Sequence, residues 1–158
     1  MKDEGCGTFT ECTNCASITS CCACFDQINA PSLNKEELET IKNIVQNSDF
    51  YDAIDGNLFT LKTKDNKCIF YVNDKCLIYD NRPTDCKLYP FDIMKIEQKY
   101  YLVLYILHCI NYEQFQSNNY NIDSLINDIV PWIDEFTDER NFSKIKKKAY
   151  KTIKEIKL

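Results

Sequence analysis

Histidine is almost missing from this chain: its 158 residues include one, His108. A Ser-His-Asp triad would have to be built on that single side chain, and neither Gly-x-Ser-x-Gly nor His-Glu-x-x-His occurs. Glycine is nearly as scarce, with three residues, and there are four prolines. Neither Gly-x-Gly-x-x-Gly nor a P-loop is present, and little chain is left for long flexible linkers. No run approaches the ~18 apolar residues of a membrane span. The longest candidate, 100–110, is too short and contains His108. The start of the sequence lacks a basic stretch followed by an apolar run, so no secretion signal is expected. The Cys-x-x-x-Cys-x-x-Cys pattern of radical S-adenosylmethionine enzymes is absent as well.

What the chain does have is ten cysteines. With 44% hydrophobic and 13% aromatic residues it is expected to be globular, and its length suits one domain, with room for a small appendage. That length can bury a core, so the cysteines are not needed merely to rescue a tiny fold. The net charge of −5 gives no ground for nucleic-acid binding by the whole domain. A cytosolic location is expected, and in a reducing cytosol thiols at such spacings point to metal or redox chemistry rather than disulfides.

Eight of the ten thiols form two groups. Cys12-Thr-Asn-Cys15 is a Cys-x-x-Cys knuckle, a spacing that turns two sulfurs toward one ion and serves both zinc and iron–sulfur centres. Cys21 and Cys22 follow it. Adjacent cysteines in a strand point to opposite faces, so an irregular backbone, two ions, or two irons of one cluster would be needed. The second group is Cys68, Cys76, Cys86 and Cys109. Cys6 and Cys24 flank the first group and are candidate extra ligands or reduced bystanders. Soft thiolates select zinc, copper(I) or iron–sulfur. Spacing leaves open two four-thiolate zinc sites, a cluster with one zinc, or a larger cluster.

Around these residues the pattern predicts a small irregular α+β domain of β-hairpins and loops about a cysteine metal site, with flanking helices. Residues 1–30 hold few aliphatics and are expected to be held by metal, which supplies folding free energy. Asn34 with Glu37 resembles a capping box. Leu38, Ile41, Ile44 and Val45 recur at helical spacing, so a helix is expected over 35–47. A strand is expected over 57–63. Cys68–Val72 and Cys76–Tyr79 read as a hairpin about Asn73-Asp74. Arg82-Pro83 starts a turn into a short helix carrying Cys86. Residues 91–96 and 100–107 read as a second hairpin ending at Cys109. A helix follows residue 121, with Pro131 as a kink or break. Residues 140–158 carry Arg140 and seven lysines against Glu155, a net +7 that leaves −12 on the preceding residues. They are expected to form a basic helix. No internal repeat is evident. The boundaries expected are a cysteine-cluster domain over 1–110 and a helical C-terminal extension over 111–158 packed on it.

The motifs resemble a known family. Cys-x-x-Cys, the nearby Cys-Cys, Cys68-Ile-Phe-Tyr71, Cys76-Leu-Ile-Tyr79, Arg82-Pro83-x-x-Cys86, Tyr89-Pro90-Phe91 and a later Cys109 are similar to the YkgJ family. Those are cysteine-cluster domains to which zinc or iron chelation is ascribed, and they are similar to the cysteine-rich part of flagellin lysine N-methylases. The resemblance spans about 12–110. Its first motif is looser here, with five residues between Cys15 and Cys21, and Ile110-Asn111 follows Cys109 where the family often has Pro-Gly. The resemblance implies Cys12, Cys15, Cys21, Cys22, Cys68, Cys76, Cys86 and Cys109 as ligands of zinc or an iron–sulfur centre, in a protein whose specific activity is not established. The alternatives are a metal-dependent enzyme (redox or protein methyl transfer) and an interaction module with structural zinc, whose basic C-terminal helix meets an acidic partner. Arg82 is expected to shape its turn or to pair with an anion; Tyr79, Tyr89 and Phe91 are expected to pack around the site. His108 is a weaker ligand candidate. Asp80 and Asp85 flank Arg82 without suggesting a paired acid–base site.

Overall fold

The computed structural model describes residues 30–65, 67–73, 75–88, 91–105, 121–137 and 150–158. The expectations for residues 1–29, with six of the cysteines, and for Tyr89, Pro90, His108 and Cys109 lie outside these. So does the part of the expected basic helix before residue 150.

The chain enters through a short strand, β1 (Ser32–Asn34), and turns into helix α1 (Lys35–Ile44). Asn34 ends the strand and caps the helix. Its side chain accepts the Glu37 N–H at 2.9 Å, and the Glu37 carboxylate accepts the Asn34 N–H at 3.0 Å. This is the capping box read from the sequence. Leu38 and Ile41 are buried on the inner face. The helix stops three residues earlier than expected. Val45 is extended, and Asn47 accepts the Asp49 N–H at 2.9 Å, a local bond that competes with helix.

A hairpin follows, β2 (Tyr51–Asp55) and β3 (Leu58–Leu61), turning at Gly56, whose φ of +43° suits glycine. β3 is central in an antiparallel sheet of order β1-β3-β2. The expected strand over 57–63 is therefore β3 and its continuation. Strands β1 and β2 had not been anticipated, although Asp55-Gly56 before an alternating run is a hairpin signal.

Two very short hairpins come next: β4 (Thr63–Lys64) with β5 (Lys67–Cys68), and β6 (Tyr71–Val72) with β7 (Lys75–Cys76). A 3₁₀ turn (Tyr79–Asn81) and helix α2 (Thr84–Leu88) lead to the long hairpin, β8 (Phe91–Ile96) and β9 (Lys99–Tyr105). Glu97 and Gln98 make its two-residue turn with φ of 48° and 65°, the left-handed pair of a type I′ turn formed without glycine. Helix α3 (Ile122–Ile129) begins at Asn121, whose side chain accepts the Ser124 N–H at 3.1 Å. At Pro131 the helix tightens to a 3₁₀ turn (Val130–Trp132) and then resumes over 133–137, the break expected of that proline.

Residues 150–156 do not continue a basic helix. They form strand β10 (Tyr150–Ile156), antiparallel to β9, giving a second sheet of order β10-β9-β8. Tyr150, Thr152, Ile153 and Ile156 favour strands, and β9 offers an edge whose backbone groups need partners. The helical stripe read from the sequence is not a buried face, since Ile156 is buried and Ile153 remains 37% exposed.

Two apolar clusters hold these elements. The first joins Phe91, Ile93, Leu102, Leu104 and Ile156 of the second sheet to Ile126, Ile129, Ile133 and Phe136 of the helical segment. Trp132 and Phe136 meet edge to face at 5.1 Å within it. Elements on both sides of residue 110 thus share one core. The second cluster packs Leu33, Leu38, Ile41, Phe50 and Leu61 around Cys68, Phe70 and Ile78. It lies under the short hairpins and sets the place of the thiols. With small antiparallel sheets and a few helices interspersed among their strands, the fold is a small α+β domain, as the sequence indicates.

Candidate metal centre

Cys68, Cys76 and Cys86 are the predicted ligands within the described residues, and all three are reduced thiols. Cys68 ends β5 and is 5% exposed, inside the second cluster; Cys76 ends β7 and packs partly buried against the same cluster. The two do not face each other across one hairpin, as the sequence suggested. Cys68 is paired with Thr63 and Cys76 with Tyr71.

They are instead equivalent positions of a tandem repeat. Residues 64–71 read Lys-Asp-Asn-Lys-Cys-Ile-Phe-Tyr and residues 72–79 read Val-Asn-Asp-Lys-Cys-Leu-Ile-Tyr. The backbone repeats with the same eight-residue shift. Asp65 and Asn73 turn their hairpins with φ of 53° and 50°. The Ile69 N–H donates to the Lys62 carbonyl at 3.1 Å, and the Leu77 N–H to the Phe70 carbonyl at 2.9 Å. Asn and Asp tolerate the left-handed turn, which fixes where the following Lys-Cys pair falls. The sequence reading found no repeat. Reversed Asp-Asn and Asn-Asp orders and conservative apolar changes hid it, and matching residue classes at a shift of eight would have found it.

Burial drives the Cys68 thiol up from 9.0 to about 11. A backbone hydrogen bond from Phe70 acts in the other direction, and the neighbouring Cys76 adds a smaller upward push. Desolvation disfavours the thiolate, whereas the amide favours it. An ion that displaces the proton would restore the missing countercharge.

Cys86 lies on α2, partly buried. Ahead of it, the Arg82 guanidinium stacks on the Tyr79 ring at 4.1 Å, a cation–π contact that closes the 3₁₀ turn. That contact sets Arg82 over the turn it follows. Phe91 is buried in the first cluster, away from the second cluster that holds Cys68 and Cys76, so it is core but not packing around those thiols. Two carboxylates stood out less in the sequence. Glu37 Oε1 accepts the Thr84 N–H at 2.7 Å, and Asp85 Oδ2 accepts the buried Ser32 N–H at 2.7 Å. They tie the start of α2 to β1 and α1.

Among the described residues, no three His, Cys, Asp or Glu side chains come together as a metal-ligand group. Cys68 and Cys76 meet in one cluster, Cys86 stands on a separate element, and the other five predicted ligands lie outside the described residues. The donors present are soft thiols, suited to zinc or iron and unsuited to hard cations.

A family model named CxxCxxCC, "Putative zinc- or iron-chelating domain", matches residues 11–120. The chain belongs to this family. The CxxCxxCC match spans the first cysteine group, the duplicated hairpins, α2 and the β8–β9 hairpin, and it ends before α3. No curated protein and no solved structure matches the chain. Among the described residues no helix is long and apolar enough to cross a membrane.

Proposed function

We propose that this member of the CxxCxxCC family binds zinc or an iron–sulfur centre through the thiolates of Cys12, Cys15, Cys21, Cys22, Cys68, Cys76, Cys86 and Cys109. One observation carries the reading: the duplicated hairpin repeats a thiol at the same backbone position, and both copies abut one apolar cluster. Family membership supports it independently. The bound ion supplies charge compensation for the thiolates and links segments far apart in sequence. The thiols bind it, the second cluster shields Cys68 from water, and the Phe70 amide steadies the Cys68 sulfur. A cytosolic setting keeps such thiols reduced. An acidic partner, where there is one, meets the lysines of strand β10 among the described residues.

Anaerobic purification, elemental analysis and an absorption spectrum on one sample test the proposal. Near-stoichiometric zinc in colourless protein, or iron with sulfide in coloured protein, is the expected result. Cys86→Ser is expected to lower metal content and melting temperature together. Wild-type protein without metal, or Cys86→Ser with full metal content, refutes the assignment.

A further inference from the structure

Helix α2 is five residues long, with a Lys87 N–H to Pro83 carbonyl bond of 3.1 Å. A helix this short does not persist on its own, because nucleation costs more than one turn of bonds returns. It must be held from outside, and the structure shows how. On the C-terminal side Leu88 is fully buried in the first cluster. On the N-terminal side Glu37 takes the Thr84 N–H, and Asp85 takes the Ser32 N–H. Ser32, Thr84 and Asp85 are all buried, so water does not replace these bonds cheaply. Glu37 uses both carboxylate oxygens at once, one for α2 and one for the Asn34 N–H of the α1 capping box. Cys86 stands between Asp85 and Leu88, with its backbone fixed from both sides.

We propose that Glu37 and Asp85 are positioning residues for Cys86: a two-carboxylate clamp that places this thiol for metal before the ion arrives. The inference rests on the reading of Cys86 as a ligand. Groups that orient ligands from outside the coordination sphere typically change metal affinity by about 10–100-fold when removed. The clamp adds α1 and β1 to the metal centre, although neither carries a predicted ligand.

The test is a cobalt(II) titration of the full chain, with zinc affinity then measured by chelator competition. Asp85→Ala removes the Ser32 bond. Glu37→Gln is nearly isosteric, keeps one acceptor oxygen and loses the other, and so carries the test even where Asp85→Ala fails to fold. Asp85→Asn retains an oxygen for Ser32 and serves as the rescue. Ile129→Val, a mild cavity in the first cluster, is the control for lost stability. Zinc affinity is expected to fall about 10-fold or more in Asp85→Ala and Glu37→Gln, with an altered cobalt spectrum. Asp85→Asn is expected to bind more tightly than Asp85→Ala, and Ile129→Val to bind as wild type despite melting lower. The clamp is overturned when wild type binds and both clamp variants bind as tightly as Ile129→Val. Wild-type protein that takes up neither ion overturns the metal-binding reading and the clamp with it.

Discussion

Cys68 gives the metal-free protein a stability that depends on alkaline pH. Its thiol is held at about 11 in the folded chain against 9.0 for an unburied thiol, chiefly by burial. The gap corresponds to about 3 kcal/mol. Below pH 9 the thiol is protonated in both states and contributes no slope. Between pH 9 and about 11 the unfolded chain loses the proton while the folded chain keeps it, so stability falls as pH rises. Above that range the full amount is lost. Among the described residues the first apolar cluster contains no cysteine, so it is the core on which the measurement in metal-free protein relies. Urea midpoints of the reduced, metal-free protein at pH 8, 9, 10 and 11 give the curve for wild type and for Cys68→Ala. The variant sacrifices a small buried side chain at every pH, but its curve is expected to fall less steeply above pH 9. Lysines and tyrosines titrate in both proteins and cancel in the difference. Parallel curves would refute the argument, since they would mean that Cys68 ionises in the folded chain as readily as in the unfolded one. Zinc loading is expected to flatten the wild-type curve, because a ligated thiolate has no proton to lose.

Asn34→Ala removes the α1 cap and is expected to cost about 1 kcal/mol in chemical denaturation; an unchanged midpoint would show that the capping bonds add nothing. Phe136→Ala empties a fully buried site beside Trp132 and is expected to cost about 3–5 kcal/mol, enough to leave a marginal domain largely unfolded on warming; a loss below that range would mean the helical segment collapses to fill the space. Asp134 accepts hydrogen bonds from Lys95 and Tyr100, which hold its carboxyl below the ordinary carboxylate range. Its contribution is therefore present above that range and lost as pH falls through the lowered value. Asp134→Asn should flatten the acid limb of the stability curve, and an identical acid limb in both proteins would refute the assignment.

The legible parts of the fold were those where two local signals agree. Helix α1 announces itself through the Asn34–Glu37 box and the Leu38–Ile41 spacing, and its structure has both. The β8–β9 hairpin is marked by alternating runs about a short polar turn. Strand β1 was not legible, because three residues carry no period and their pairing with β3 is set by tertiary contact. The candidate site was legible as residue types and only partly as an arrangement. The Lys-Cys pairs and the Arg82-Pro83 turn could be read, whereas the bond from the Thr84 N–H to the Glu37 carboxylate joins residues 47 positions apart. No spacing rule reports such a contact. Asp85 flanks Arg82 in the sequence, and its carboxylate accepts the Ser32 N–H from 53 positions away.

The C-terminal lysines show how an apolar period at helical spacing misassigned residues 150–156. Ile145, Ala149, Ile153 and Ile156 fit a helical stripe, and residues 150–156 fit a strand whose Tyr150, Thr152 and Ile156 pair along β9. The structure decides for the strand because β9 needs a partner on that side. On an edge strand, lysines have a reason of their own: exposed charge keeps an unpaired edge from joining other chains. Lys151 and Lys157 are exposed there, while Lys154 reaches Asp123 and Lys99 meets Glu155 at 3.3 Å. Deleting 140–158 would thus be a poor test of an acidic partner, since it would take Ile156 from the core and bare the β9 edge. Reversing charge at Lys151 and Lys157 leaves the strand in place. Lost partner capture with unchanged metal content would assign the lysines to recognition; unchanged capture with new self-association would assign them to guarding the edge.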